Sequence, residues 1–114
     1  MALGVGIDLI EIERVERALE RRPRLAERLF TDAELSYARE RSRPGRHLAA
    51  RFAAKEAVIK ALGRPVPPRE IEVVSGEPPR LQLHGQAAEA AGEAEIAISL
   101  THSRDAAAAV AVAN

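Results

Sequence analysis

Residues 3 to 10 alternate in polarity. Leu3, Val5, Ile7 and Leu9 share one side and Gly4, Gly6 and Asp8 the other, which predicts a strand with one apolar face. The opposite face is stripped of side chains around Asp8, so another group can approach the backbone there. From residue 11 to 22 the period changes. Ile12, Val15 and Leu19 form one stripe, with Arg14, Arg17, Arg21 and glutamates outside it, as in an amphipathic helix. Pro23 interrupts that helix, and Leu25 and Leu29 predict a further turn. Thr31-Asp32-Ala33-Glu34 has capping-box spacing and starts a second helix running to about Arg41. After a break at Pro44-Gly45, a third helix spans Arg46 to Leu62, with Gly63 as its C-cap. Beyond Pro65, Pro67 and Pro68 come strands at 70–75 and 80–84, joined by Gly76-Glu77-Pro78-Pro79. A short helix at 86–91 follows. A strand through Ile96, Ile98 and Leu100 ends near His102, and a last strand covers 106–113 after a Ser103-Arg104-Asp105 turn. The order β-α-α-α-β-β-α-β-β predicts an α+β fold with an antiparallel sheet and a long helix packed on it.

Composition adds size and setting. The 114 residues suit a single domain over 1–114, or one subunit of something larger. The apolar 46% is dominated by alanine, with two Phe, one Tyr and no Trp, so its elements must approach closely. The absence of cysteine excludes disulfides, thiolate zinc sites and thiol nucleophiles. No signal peptide or membrane span is expected, and the expected location is the cytoplasm.

A net charge of zero argues against a general nucleic-acid binder, but the charge is uneven. Residues 14–28 hold six Arg against three Glu, and residues 39–69 hold nine basic groups against two Glu. From Glu70 onward, seven acidic groups face two Arg. The basic stretch reads either as a solvated helix face or as a docking site for an acidic or phosphorylated partner. Fifteen of the basic residues are Arg and only Lys55 and Lys60 are Lys. A site that keeps Lys in such a chain points to a need for a compact, mobile ammonium.

Glu56 and Lys60 share a helix face. They fit an ordinary salt bridge, or a metal-binding carboxylate beside a phosphate-binding ammonium. Asp8 between glycines in a strand is costly to bury unpartnered, and a hard cation would satisfy it. Mg²⁺ is commonly held by one or two carboxylates with substrate phosphates and water, a need Asp8 and Glu56 meet together. His47, His84 and His102 match no zinc spacing, and His102 at a strand end suits a structural role as well as a catalytic one. Nucleophile-elbow, Walker and dinucleotide motifs are absent.

Three stretches carry a resemblance: Gly4-Val5-Gly6-Ile7-Asp8-Leu9-Ile10-Glu11, the run from Leu48 to Leu62 containing Lys55-Glu56-Ala57, and Ile98-Ser99-Leu100-Thr101-His102-Ser103. In order and spacing they resemble the holo-acyl-carrier-protein synthase family of small 4′-phosphopantetheinyl transferases. The resemblance implies that fold and a Mg²⁺-dependent reaction, with Mn²⁺ as an alternative ion. Phosphopantetheine moves from coenzyme A to a serine of apo-acyl carrier protein, for fatty acid biosynthesis. It implies Asp8 and Glu56 as metal ligands, and Asp8, Glu56, Lys60 and His102 as catalytic residues. Arg51, Lys60, Gly63, Pro78, Ser99, Thr101 and His102 would bind coenzyme A. Arg14, Arg24 and Arg28 would meet the acidic carrier. Beside what the resemblance implies, Glu56, acting directly or through a metal-bound water, is the expected base. The short 63–69 loop and Glu77, where a basic residue is common, depart from the family pattern. Small members form trimers with interfacial sites, so a homotrimer is implied. The other readings are a non-catalytic module docking acidic proteins through residues 14–28, and a small metal-dependent nucleotide hydrolase.

Overall fold

The computed structural model describes residues 3–114. Its elements are β1 (Gly4–Glu11), α1 (Ile12–Arg21), α2 (Leu25–Leu29), α3 (Asp32–Arg39), α4 (Pro44–Leu62), a 3₁₀ turn (Pro68–Glu70), β2 (Ile71–Val74), β3 (Arg80–Leu83), α5 (Gly85–Ala91), β4 (Ile96–His102) and β5 (Ala106–Ala113). The expected turn around Leu25 and Leu29 is thus a separate short helix. The strands form two antiparallel sheets, β1-β5-β4 and the β2-β3 hairpin. Pro44 does not end a helix but opens α4 at its first turn, where proline's missing N–H costs nothing. Two other end signals hold. The Thr31 hydroxyl accepts from the Glu34 N–H while the Glu34 carboxylate accepts from the Thr31 N–H, and Gly63 caps α4 with φ of 75°.

Helix α4 lies across the three-stranded sheet, and alanine is what lets it lie so close. Ala49, Ala53, Ala54 and Ala57 on the helix and Ala107, Ala109, Ala111 and Ala113 on β5 are buried. At β1 the approach is closer still. A Cβ on Gly4 would sit 2.1 Å from the Ala61 carbonyl oxygen, and one on Gly6 would sit 1.9 Å from that of Ala57. The group that approaches the bare side of β1 is therefore the backbone of α4.

This packing inverts the expected use of β1. Its glycine side faces the core, and its apolar side faces out. Leu3, Val5, Ile7 and Leu9 are 60%, 58%, 67% and 73% exposed. An antiparallel register pairs Asp8 with Ala109 and Ile7 with Val110, so the outward side of β5 continues the apolar surface.

Candidate active site

Strand β1 turns Asp8 toward α4, where Glu56 and Lys60 lie one turn apart. The Lys60 ammonium donates to the Ile7 carbonyl at 2.9 Å and meets an Asp8 carboxylate oxygen at 3.4 Å. Asp8 is 19% exposed and Lys60 56%, so the lysine reaches in from the surface over a sheltered carboxylate. Asp8, Glu56 and Arg14 line one cavity of about 390 Å³, with an apolar wall from α1, α2 and Phe52. Burial pushes the Glu56 carboxyl above its ordinary range. The Asp8 charge pushes the same way, and Lys60 opposes both. Two carboxylates sharing a sheltered space with one ammonium are suited to a cation.

Among the described residues no cluster of three metal-ligating side chains forms. Asp8 and Glu56 are two carboxylates at one cavity, and an ion taking its other ligands from phosphates and water needs no more. Arg14 stands at the same cavity. Arg24 precedes α2 and Arg28 lies in its last turn. None of the three makes an ion pair among the described residues, whereas Arg17 and Arg43 are paired with Glu13 and Glu16.

A second cluster forms beside α3. Arg51 is buried, donates to the Ser75 hydroxyl at 2.8 Å and lies 4.2 Å from the Tyr37 ring centre, with Arg41 at 3.8 Å from the same ring. Tyr37 packs edge-on against His47, and His47 edge-on against His102, with ring centres 5.8 and 6.2 Å apart. The Arg51 and Arg46 Nε atoms are buried without a partner, donors still open to an acceptor. Burial lowers the Arg51 pKa. Burial also lowers that of His47, helped by the charges of Arg51, His102, Arg41 and Arg46. The hydrogen bond from Arg41 is the main cause that lowers the Tyr37 pKa.

The sequence reading placed Arg51 and His102 in the site but not Tyr37, Arg41, Arg46 or His47. The density of basic groups between residues 39 and 51, with the only Tyr beside it, was the available signal. Ser99 and Thr101 alternate with His102 along β4 and are exposed on the other side of the sheet. Pro78 sits in the β2-β3 turn beyond Ser75, and Gly63 caps the far end of α4.

The two clusters do not meet within one chain. At about 100° per residue, Lys60 lies roughly 180° around α4 from Arg51. Asp8 is on one edge strand of the sheet and His102 on the other, with β5 between.

The family model for the 4′-phosphopantetheinyl transferase superfamily matches residues 4–112. The chain belongs to this superfamily. It is 50% identical to the holo-(acyl-carrier-protein) synthase of Moorella thermoacetica over 118 residues, covering 96% of this chain and 92% of that one. Among solved structures it resembles the Chronobacterium ammoniagenes ACPS–CoA complex, with a TM-score of 0.85 and 36% identity over 99% of this chain and 97% of that one. It also resembles the acyl carrier protein synthase of Mycobacterium tuberculosis, with a TM-score of 0.80 and 43% identity, covering 97% and 96%. The α4-on-sheet core is the fold of this superfamily.

Proposed function

We propose that this chain transfers the 4′-phosphopantetheine group of coenzyme A to a serine of an apo-acyl carrier protein, for fatty acid biosynthesis. The observation that carries this reading is one cavity lined by Asp8, Glu56 and Arg14, with the Lys60 ammonium 3.4 Å from the Asp8 carboxylate. The serine oxygen forms a bond to the phosphorus that bears pantetheine. The bond from that phosphorus to the bridging oxygen breaks, and adenosine 3′,5′-bisphosphate leaves with the electron pair. Such reactions depend on positioning and charge neutralisation more than on covalent help from the protein.

Asp8 and Glu56 are the residues that would hold Mg²⁺, or Mn²⁺ in its place. The ion, when bound, neutralises charge on the pyrophosphate oxygens. Lys60 adds a mobile positive charge where the leaving phosphate gains negative charge. Glu56, directly or through a water, receives the serine proton. Arg14, Arg24 and Arg28 form the docking face for the acidic carrier, and their unpaired charges steer its approach.

Arg51, Tyr37, His47 and His102 take the nucleotide end of coenzyme A. The catalytic carboxylates lie on the other side of α4, so one coenzyme A molecule reaches both clusters when it bridges two copies of the chain. The apolar outer face of β1 gives those copies a surface to bury. A homotrimer of single-domain chains with interfacial sites fits both observations, and Ser99 and Thr101 on the outer sheet face then border a neighbour's site. The setting we assign is the cytoplasm. Incubation of the chain with coenzyme A, Mg²⁺ and an apo-carrier, followed by mass measurement of the carrier, tests the reading.

A further inference from the structure

Helices α3 and α4 meet along three successive rungs. Glu34 faces Lys55, Tyr37 faces Arg51, and Tyr37 also touches His47. On α3 the rung residues are three apart, and on α4 they are four apart, so each set follows one helix face. The lowest rung is the most enclosed charged pair among the described residues. The side chains of Glu34 and Lys55 are both 0% exposed, and their ammonium and carboxylate oxygen are 2.8 Å apart.

Neither partner faces the cavity of Asp8 and Glu56. Lys55 spends its other donors on the Pro68 carbonyl at 3.0 Å and the Ile71 carbonyl at 2.6 Å. Glu34 accepts from the Thr31 N–H at 2.9 Å and the Val73 N–H at 2.8 Å. The ammonium also stands 5.4 Å from the Phe30 ring centre. One buried pair thus ties α3, α4, the 3₁₀ turn and β2 together. Two residues beyond Val73 on the same chain segment, Ser75 accepts from Arg51. The pair and the Arg51 cluster therefore share α3, α4 and the segment that runs from β2 to Ser75.

A buried ion pair is a weak source of net stability, because desolvation offsets its attraction. A fully satisfied one fixes geometry, since each donor and acceptor specifies a distance. We propose that the Glu34–Lys55 pair is a positioning device for nucleotide binding: it sets the α3–α4–β2 spacing that brings Arg51, Tyr37 and His47 to the nucleotide end of coenzyme A. This rests on the assignment of that cluster to coenzyme A. The Asp8 and Glu56 side is held separately, by the packing of Gly4 and Gly6 on α4. Loss of the pair therefore acts on nucleotide affinity and spares the chemical step.

The test uses Lys55→Met in the full chain, with Arg51→Ala in parallel. Binding of adenosine 3′,5′-bisphosphate in the presence of Mg²⁺ is measured by calorimetry, and KM for coenzyme A and kcat by carrier modification. Lys55→Met is expected to weaken the bisphosphate and raise the coenzyme A KM by about tenfold, with kcat at saturation held within about threefold. Where Lys55→Met does not fold, Glu34→Leu with Lys55→Met removes both charges and gives the same readout. A folded variant with unchanged bisphosphate affinity, or one that loses kcat at constant KM, overturns the positioning role. If Arg51→Ala also leaves the affinity unchanged, the nucleotide assignment itself fails and takes this inference with it. If Arg51→Ala weakens binding and Lys55→Met does not, only the inference fails.

Discussion

The two lysines of this arginine-rich chain lie five residues apart on one helix and do opposite work. Lys55 is enclosed, and its ammonium is saturated by one carboxylate and two carbonyls. Burial lowers its pKa, while the Glu34 charge opposes the shift. Lys60 is half exposed, bonded to one carbonyl and set at longer range from Asp8. The first arrangement leaves nothing free to meet a ligand. The second leaves donors free, beside carboxylates that repel each other. What separates structural from chemical lysine is whether its surroundings have already satisfied it. Residue type and the sequence signature do not make that distinction.

The largest effect should come from removing either carboxylate beside Lys60. Asp8→Asn or Glu56→Gln should reduce carrier modification by at least about a hundredfold while circular dichroism and melting stay near those of the parent chain. Near-normal turnover in both would refute the assignment of the carboxylates. Mixing Glu56→Gln chains with Arg51→Ala chains should restore part of the activity, because a mixed oligomer contains some interfaces with both clusters intact. No recovery after subunit exchange would contradict a site shared between two copies of the chain.

Stability should respond in the reverse sense. Lys55→Ala orphans a buried carboxylate and should cost about 3–5 kcal/mol in urea unfolding, against less than about 1 kcal/mol for Lys60→Ala. Equal costs would erase the distinction drawn between the two lysines.

Much of this was readable in the sequence, and the gaps have physical causes. The capping box at Thr31 and the C-cap at Gly63 are local hydrogen-bond patterns, so residue type alone predicts them. Asp8, Glu56 and Lys60 were legible as a chemical group because few other reasons place those residues in a glycine strand and on one helix face. The direction of β1 was not legible in the same way. An apolar side normally faces the core, and only the approach of the α4 backbone to Gly4 and Gly6 reverses it. Tyr37, Arg41, Arg46 and His47 were missed because they converge through the packing of α3 on α4, which spacing in one segment does not encode. Pro44 was read as a helix break because a proline ends one helix and opens another with the same signal.

Smaller effects test the edges of the two regions. Replacing Arg14 and Arg24 by alanine should raise the carrier KM by about tenfold at low ionic strength and by less at high salt. A salt-independent response would move the docking face elsewhere. His47 gives the smallest signal. Its pKa is lowered, chiefly by burial and then by the nearby positive charges. Its contribution to stability is therefore present above the ordinary histidine value of about 6.5 and is lost as pH falls through the lowered one. His47→Gln should flatten the fall in melting temperature over that acidic window, and an unchanged slope would mean that His47 does not titrate there.

The mass of the carrier decides whether this chain is a transferase. With coenzyme A and Mg²⁺ present, an apo-acyl carrier protein should gain the mass of one phosphopantetheine at its serine, and adenosine 3′,5′-bisphosphate should appear in equal amount. A competent carrier whose mass stays unchanged after prolonged incubation would contradict the transferase reading.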